Sequence, residues 1–279
     1  MSVILEVENL CKFYPSFRLE GVSFTLRAGT ITGFVGRNGA GKSTTLYALL
    51  SLVQPDAGNI LYRGENIRGR EAVFKQRVGF VSAGVSFYAK QKLHRITDVV
   101  KTFYGEWNDT LYRRYMQAFA LDGNQVFEKL SNGMKIKFAL ALALSHNAEL
   151  LILDEPTGGL DPVSREELAE ILLDLAGQGK AVLFSTHIIS DLDRIADRIL
   201  YIKNGRILAD DTLQGFTDAY RLVQYQTLTE PQRKKIIGEL RLKDGYSALI
   251  KAADAADFGM PSVCAGAEDI MVHIEKERA

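Results

Sequence analysis

The sequence predicts an α/β protein built on a mostly parallel central sheet, and three stretches carry that expectation. A β-rich run at 30–35 enters a glycine-rich segment at 36–44 and leaves it for an apolar, helix-prone stretch at 46–52. An unbroken apolar run at 150–153 stops abruptly at Asp154-Glu155, as a parallel strand buried on both faces would. A third apolar run, 181–184, ends at Thr186 and His187, and a helical pattern separates it from the second.

In chain order, 22–26 and 30–35 read as short strands divided by the Ala28-Gly29 turn, and Pro55-Asp56-Ala57-Gly58 closes the helix that follows. From about 84 to 147, charges and tyrosines (Tyr88, Tyr104, Tyr112, Tyr115) are frequent and the periodicity is helical, so this segment reads as a helical insertion. The helix after residue 160 carries its own punctuation: Asp161 as N-cap, Pro162 at its first position, Glu166 and Glu167 early, and Gly177 at its end. Leu168, Ile171, Leu172 and Leu175 give it one apolar face. Asn204-Gly205, between 199–203 and 206–209, is a hairpin signal. After about 211 the alternation stops. A basic amphipathic helix at 231–242, a strand at 246–251 and a terminal helix are expected there, forming a small accessory domain. The expected domains are therefore 1–210 and 211–279.

Composition narrows the function. Lys plus Arg equals Asp plus Glu at 34 each, which argues against a surface that holds a polyanion by bulk charge. Cys11 and Cys264 lie at opposite ends outside any metal-like spacing and read as free thiols; His94, His146, His187 and His273 are scattered. Glu6 and Glu8 stand where a signal peptide would be basic and then apolar. No run reaches the roughly 18 to 20 apolar residues of a spanning helix. A soluble chain is expected, with any membrane role supplied by a partner.

Residues 36–44, Gly36-Arg37-Asn38-Gly39-Ala40-Gly41-Lys42-Ser43-Thr44, match the phosphate-binding pattern G-x-x-x-x-G-K-[ST] in its required strand–loop–helix setting. Gly36, Gly39 and Gly41 let backbone amides turn toward phosphates. The helix start adds roughly half a positive charge. Lys42 supplies a full charge to the β- and γ-phosphates, and Ser43 offers a hydroxyl to Mg²⁺. Asp154 and Glu155 leave a buried strand at the edge where open α/β sheets gather ligands. One carboxylate can serve the Mg²⁺ shell while the other polarises an attacking water.

With these residues in place, the chain resembles the nucleotide-binding subunit of ABC transporters over roughly 3–210. Residues 130–135 (Leu130-Ser131-Asn132-Gly133-Met134-Lys135) are similar to that family's signature motif, usually L-S-G-G-Q. Residues 150–155 resemble its Walker B strand with the catalytic glutamate, Glu155. Gly159-Leu160-Asp161 resembles its D-loop, His187 its switch histidine, and Tyr14 the aromatic that stacks on adenine, with Phe13 a rival for that role. All stand in family order. The resemblance implies a P-loop NTPase fold with an antiparallel β subdomain, using ATP and Mg²⁺. It also implies that Ser131 and the amides beyond it bind the γ-phosphate held by a second copy's P-loop. Read alone, Ser131 is an N-cap for the helical run 134–144, and His187 a structural histidine.

Three departures stand out. Asn132 replaces the second signature glycine, Met134-Lys135 replaces the glutamine, and Ala83 stands where the strand 78–82 leads the family to its Q-loop glutamine. The first two resemble an exporter-like branch. At Ala83 a methyl group cannot coordinate a cation, and a water is expected in the side-chain oxygen's place. The implied partners are a transmembrane permease subunit and a second nucleotide-binding subunit, identical or not, with no nucleic acid. The implied location is cytoplasmic, peripheral on the inner face of the membrane. A soluble ABC-type ATPase acting on nucleic acid or ribosomes is the alternative. It usually has two cassettes or long coiled-coil insertions, whereas this chain has one cassette and no such insertion. A P-loop kinase or GTPase would leave 131–135 unexplained.

Overall fold

The computed structural model describes residues 2–82 and 87–277 and divides into two compact units, Met1–Asp210 and Asp211–Ala279. In the first unit, β1 (Val3–Tyr14) and β2 (Phe17–Arg27) form a long antiparallel hairpin that sets Tyr14 opposite Phe17. β3 (Ile31–Val35) feeds the glycine loop and α1 (Lys42–Leu49). That helix begins at the lysine and ends before Leu50, earlier than the apolar pattern to residue 52 predicted. β4 (Ala57–Tyr62) and β5 (Glu65–Asn66) complete a four-stranded antiparallel sheet, β2-β1-β4-β5.

Next come α2 (Glu71–Lys75) and β6 (Val78–Ser82), then the helical insertion with α3 (Leu93–Val100), α4 (Asp109–Ala118) and α5 (Asn132–Leu144). β7 (Leu150–Asp154), α6 (Pro162–Gly177), β8 (Ala181–Thr186), β9 (Arg198–Lys203) and β10 (Arg206–Thr212) complete the unit. The second sheet has the order β10-β9-β3-β8-β7-β6, and its strands from β9 to β6 run parallel. β10 returns from β9 through Asn204 and Gly205, whose φ values of 49° and 76° are those of the tight hairpin turn their identities predict.

Apolar residues of three layers make one core. Leu5, Leu19 and Leu26 come from the first sheet, Leu46 and Leu49 from α1, and Phe34, Ile152 and Leu183 from the second sheet. The insertion has its own core of Leu93, Ile96, Met116, Phe127 and Phe138. Phe87 packs edge-on against Phe127 with ring centroids 5.3 Å apart.

The second unit contains α7 (Leu213–Asp218), β11 (Tyr220–Tyr225), α8 (Glu230–Arg233), β12 (Ile237–Leu242), β13 (Gly245–Lys251), β14 (Ser262–Cys264) and α9 (Ala267–Lys276). Its antiparallel sheet runs β12-β13-β11-β14 over a core of Val223, Tyr225, Ala248, Ile250 and Phe258. The strand at 246–251 and the terminal helix are as the sequence predicts. The helix expected at 231–242 is not. Only Glu230–Arg233 is helical, and 237–242 pairs with β13. Pro231 starts a helix well but says nothing of its length. Beyond Gly238, the alternation Glu239-Leu240-Arg241 suits a strand, and partnership with β13 decides the matter.

Candidate nucleotide-binding site

The parallel sheet aligns its chemistry along one edge. Its register places Val35 beside Thr186, Asp154 beside Ser185 and Ser82 beside Asp154. The loop after β3, the carboxylates after β7 and the histidine after β8 therefore emerge together. Close packing dictates the loop's glycines. A Cβ on Gly36 would lie 2.4 Å from the Ile202 carbonyl oxygen, and Gly41 turns into α1 at φ 116°. The β9–β10 turn braces the loop from outside, since Gly205 N donates to the Ala40 carbonyl at 2.9 Å. Arg37, Asn38, Gly39 and Ser43 are exposed, Thr44 is half-buried, and Ala40 is buried.

Lys42 is drawn into the loop, only 5% exposed. Its Nζ donates to the carbonyls of Gly36 (2.7 Å) and Arg37 (3.3 Å) and stands 3.3 Å from Glu155 Oε1. That oxygen is buried and has no hydrogen-bond partner in proper geometry, so its contact with Lys42 is electrostatic. The other oxygen, Oε2, is 2.7 Å from His187 Nδ1. Glu155 holds this position with φ at 49°, a left-handed conformation uncommon outside glycine. Its backbone N donates to Ser185 O at 2.9 Å, extending the sheet ladder one residue.

Asp154 is 6% exposed and accepts from Ser185 Oγ at 3.2 Å. Burial pushes its carboxyl above the usual range, and hydrogen bonds from Ser185 and Ser43 and the charge of Lys42 only partly oppose this.

Ser131, Gly133 and Asp161 form a second group around Ser164. Ser131 is the N-cap of α5, its exposed hydroxyl accepting from Met134 N at 3.2 Å. Asp161 caps α6 and accepts from Ser164 N (3.0 Å) and Ser164 Oγ (2.7 Å). Gly133 lies against the same serine, with Ser164 Oγ 3.0 Å from where a Cβ would be. Phe13 and Tyr14 are both exposed and each has a cation over its ring, Arg18 at 5.9 Å and Lys12 at 5.7 Å. The predicted Q-loop position, Ala83, lies outside the described residues.

Several participants were not read from the sequence. Ser185 is the penultimate residue of an apolar strand, and its closeness to a strand end was the only available signal. Thr157 and Asp191, which bond to each other, lie 34 residues apart, and nothing local links them. Asn132, noted only as a departure, donates its side-chain amide to the Gly159 carbonyl at 3.3 Å.

A glycine loop wrapped on a buried lysine, beside paired carboxylates at the C-terminal edge of a parallel sheet, is the fold of a P-loop NTPase. The family model described as ABC transporter matches residues 19–158. The chain is 33% identical over 214 residues to a bacitracin transport ATP-binding protein of Bacillus licheniformis, covering 75% of this chain and 70% of that one. It is 30% identical over 233 residues to a lantibiotic transport ATP-binding protein of Streptococcus pyogenes, covering 82% of this chain and all of the other. Among solved structures, an ATP-binding subunit of an ABC transporter matches with a TM-score of 0.69 and 28% identity, over 76% of this chain and 91% of that one. The chain belongs to the ABC transporter family, as an ATP-binding subunit that hydrolyses ATP to power transport and works with membrane components. Among the described residues, no helix is long and apolar enough to cross a membrane.

Proposed function

We propose that residues 1–210 are a nucleotide-binding domain that pairs with a second such subunit around ATP and drives export through a transmembrane permease. The single observation that carries this reading is the Lys42–Glu155–His187 cluster beside buried Asp154. Glu155 is the base that polarises the attacking water, His187 steadies it and meets the γ-phosphate, and Lys42 balances phosphate charge. Lys42 lies against Glu155 Oε1 and its own loop carbonyls, which sets its positive charge between the glycine loop and the base. The amides of 36–44 cradle the phosphates, and Tyr14 stacks on adenine with Phe13 as the rival ring.

Asp154 and Ser43 fit Mg²⁺. A buried carboxylate whose desolvation is only partly offset favours a cation, and two hard oxygen donors are what an ion that keeps several waters and phosphate oxygens asks of a protein. When bound, Mg²⁺ neutralises phosphate charge as it develops. Ser131, Gly133 and Asp161 complete the site of the other subunit. The first-turn amides of Asn132 and Gly133 precede the first bond inside α5, from Lys135 N to Ser131 O, so helix geometry leaves them able to donate outward. Export is favoured by a relative named as a Nod factor export ATP-binding protein of Burkholderia lata, 36% identical over 204 residues. The location follows as cytoplasmic, peripheral at the membrane, with residues 211–279 an accessory domain and no nucleic acid partner.

The test is ATPase activity per molecule as protein is diluted. It should fall as pairs dissociate, for self-pairing or for a mixture with its sister subunit. A rate that stays flat from the monomeric to the dimeric regime removes the shared site.

A further inference from the structure

The loop that carries Glu155 is held at a second place, by Asp191. Asp191 lies four residues after His187 in a short 3-10 turn, Ile189–Asp191, and its side chain is only 7% exposed. Its Oδ2 accepts from Thr157 Oγ1 at 2.5 Å, and its Oδ1 accepts from Arg165 Nη1 at 3.2 Å. Thr157 is itself buried, at 3% exposure, and lies two residues beyond Glu155. Arg165 stands in the first turn of α6, and its Nε donates to the Leu160 carbonyl at 3.3 Å. One carboxylate therefore grips the start of the 157–161 loop directly and its end through a guanidinium.

The base of this grip is fixed. Ile189 and Leu192, on either side of Ser190 and Asp191, are 2% and 0% exposed. Leu192 packs so closely on β3 that a Cβ on Gly33 would meet its Cδ1 at 2.4 Å. The turn leaving β8 is also closed, with Ile188 N donating to Thr186 Oγ1 at 2.9 Å.

Two segments, 155–157 and 185–191, thus run side by side and are joined at three points. These are Glu155 N to Ser185 O, Glu155 Oε2 to His187 Nδ1, and Thr157 Oγ1 to Asp191 Oδ2. The middle contact is the chemistry, and the outer two fix its register. A nearly buried carboxylate that binds two donors from different elements is costly to desolvate and strong once paired. Stability alone would be served as well by apolar packing.

We propose that Asp191 is a positioning residue for ATP hydrolysis. It holds the Glu155 loop and the first turn of α6 against the His187 segment, so that base and histidine meet in one geometry. This rests on the assignment of Glu155 as the base.

The experiment uses the full chain. It measures kcat and KM for ATP, the dissociation constant of a fluorescent ATP analogue, and Tm. Asp191→Asn should lower kcat about ten- to a hundredfold, the cost of misplacing a reacting group by an ångström or less, with analogue binding within twofold of wild type. Thr157→Val leaves the Arg165–Asp191 pair intact, folds independently of the fate of Asp191→Asn, and should lower kcat in the same way. Thr157→Ser, which restores the hydroxyl, should recover it. The double variant should be no slower than the slower single one, because both substitutions disturb the same Thr157–Asp191 contact. Unchanged kcat in Thr157→Val, or a kcat loss matched by an equal loss of analogue binding, overturns the proposal. Failure of the underlying reading looks different, because Glu155→Gln would then hydrolyse ATP at the wild-type rate.

Discussion

The two groups of candidate residues differ in how completely this chain satisfies them. Around Lys42, the protein closes on itself. The ammonium is 5% exposed and Asp154 is 6% exposed, while Glu155 is met by Lys42 on one oxygen and His187 on the other. Around Ser131, the same chain leaves its polar groups facing outward, with an exposed hydroxyl and first-turn amides that precede any intrahelical partner. The lesson is one of completeness. On the proposed function, the first group holds phosphate with what one subunit owns, and the second is a half-site whose exposed Ser131 hydroxyl and first-turn amides serve the nucleotide of another subunit.

That contrast is open to attack, most strongly through Glu155. Glu155→Gln keeps shape and hydrogen bonding but removes the charge that polarises water. Hydrolysis should fall by ~10² to 10⁴, with ATP binding retained and ATP-loaded pairs accumulating on size-exclusion chromatography. Lys42→Ala acts earlier and should weaken nucleotide binding itself. If both variants lose binding equally, the first group is one undivided phosphate clamp and not a clamp plus a base.

Ser131→Ala sharpens the comparison from the other side. Loss of an N-cap costs about 0.5–2 kcal/mol of stability, and loss of a hydrogen bond to a charged group about 1.5–3 kcal/mol. Hydrolysis in the paired state should fall roughly ten- to a hundredfold, while ATP binding by dilute single subunits stays as it was. A variant that melts earlier yet hydrolyses ATP normally makes Ser131 a cap and nothing more.

The smallest expected effect lies in the second unit. A chain ending at Asp210 should bind ATP as the full chain does, since that boundary separates the two compact units and all the phosphate-facing candidates precede it. Loss of ATP binding with an intact circular dichroism spectrum would assign residues 211–279 a share in the site.

Much of this was legible early, for a definite reason. The glycine loop, the 150–155 run, the Asp161-Pro162 helix start and the Asn204-Gly205 turn are local signals, each specified by residues a few positions apart. The error at 231–242 came from the opposite situation. A short amphipathic segment fits either period, and the backbone partner that decided it, β13, comes later in the chain.

By itself, the sequence determined the fold class, the glycine loop between β3 and α1 and the paired carboxylates that end a buried strand, because backbone conformation and residue chemistry are local properties. It could not determine which side chains share the work. Lys42 meeting Glu155, Ser185 supporting Asp154, Asn132 reaching Gly159 and Asp191 gripping Thr157 all join elements far apart in the chain. Only the parallel sheet, by stacking strands whose order is not their order in sequence, brings those residues to one edge.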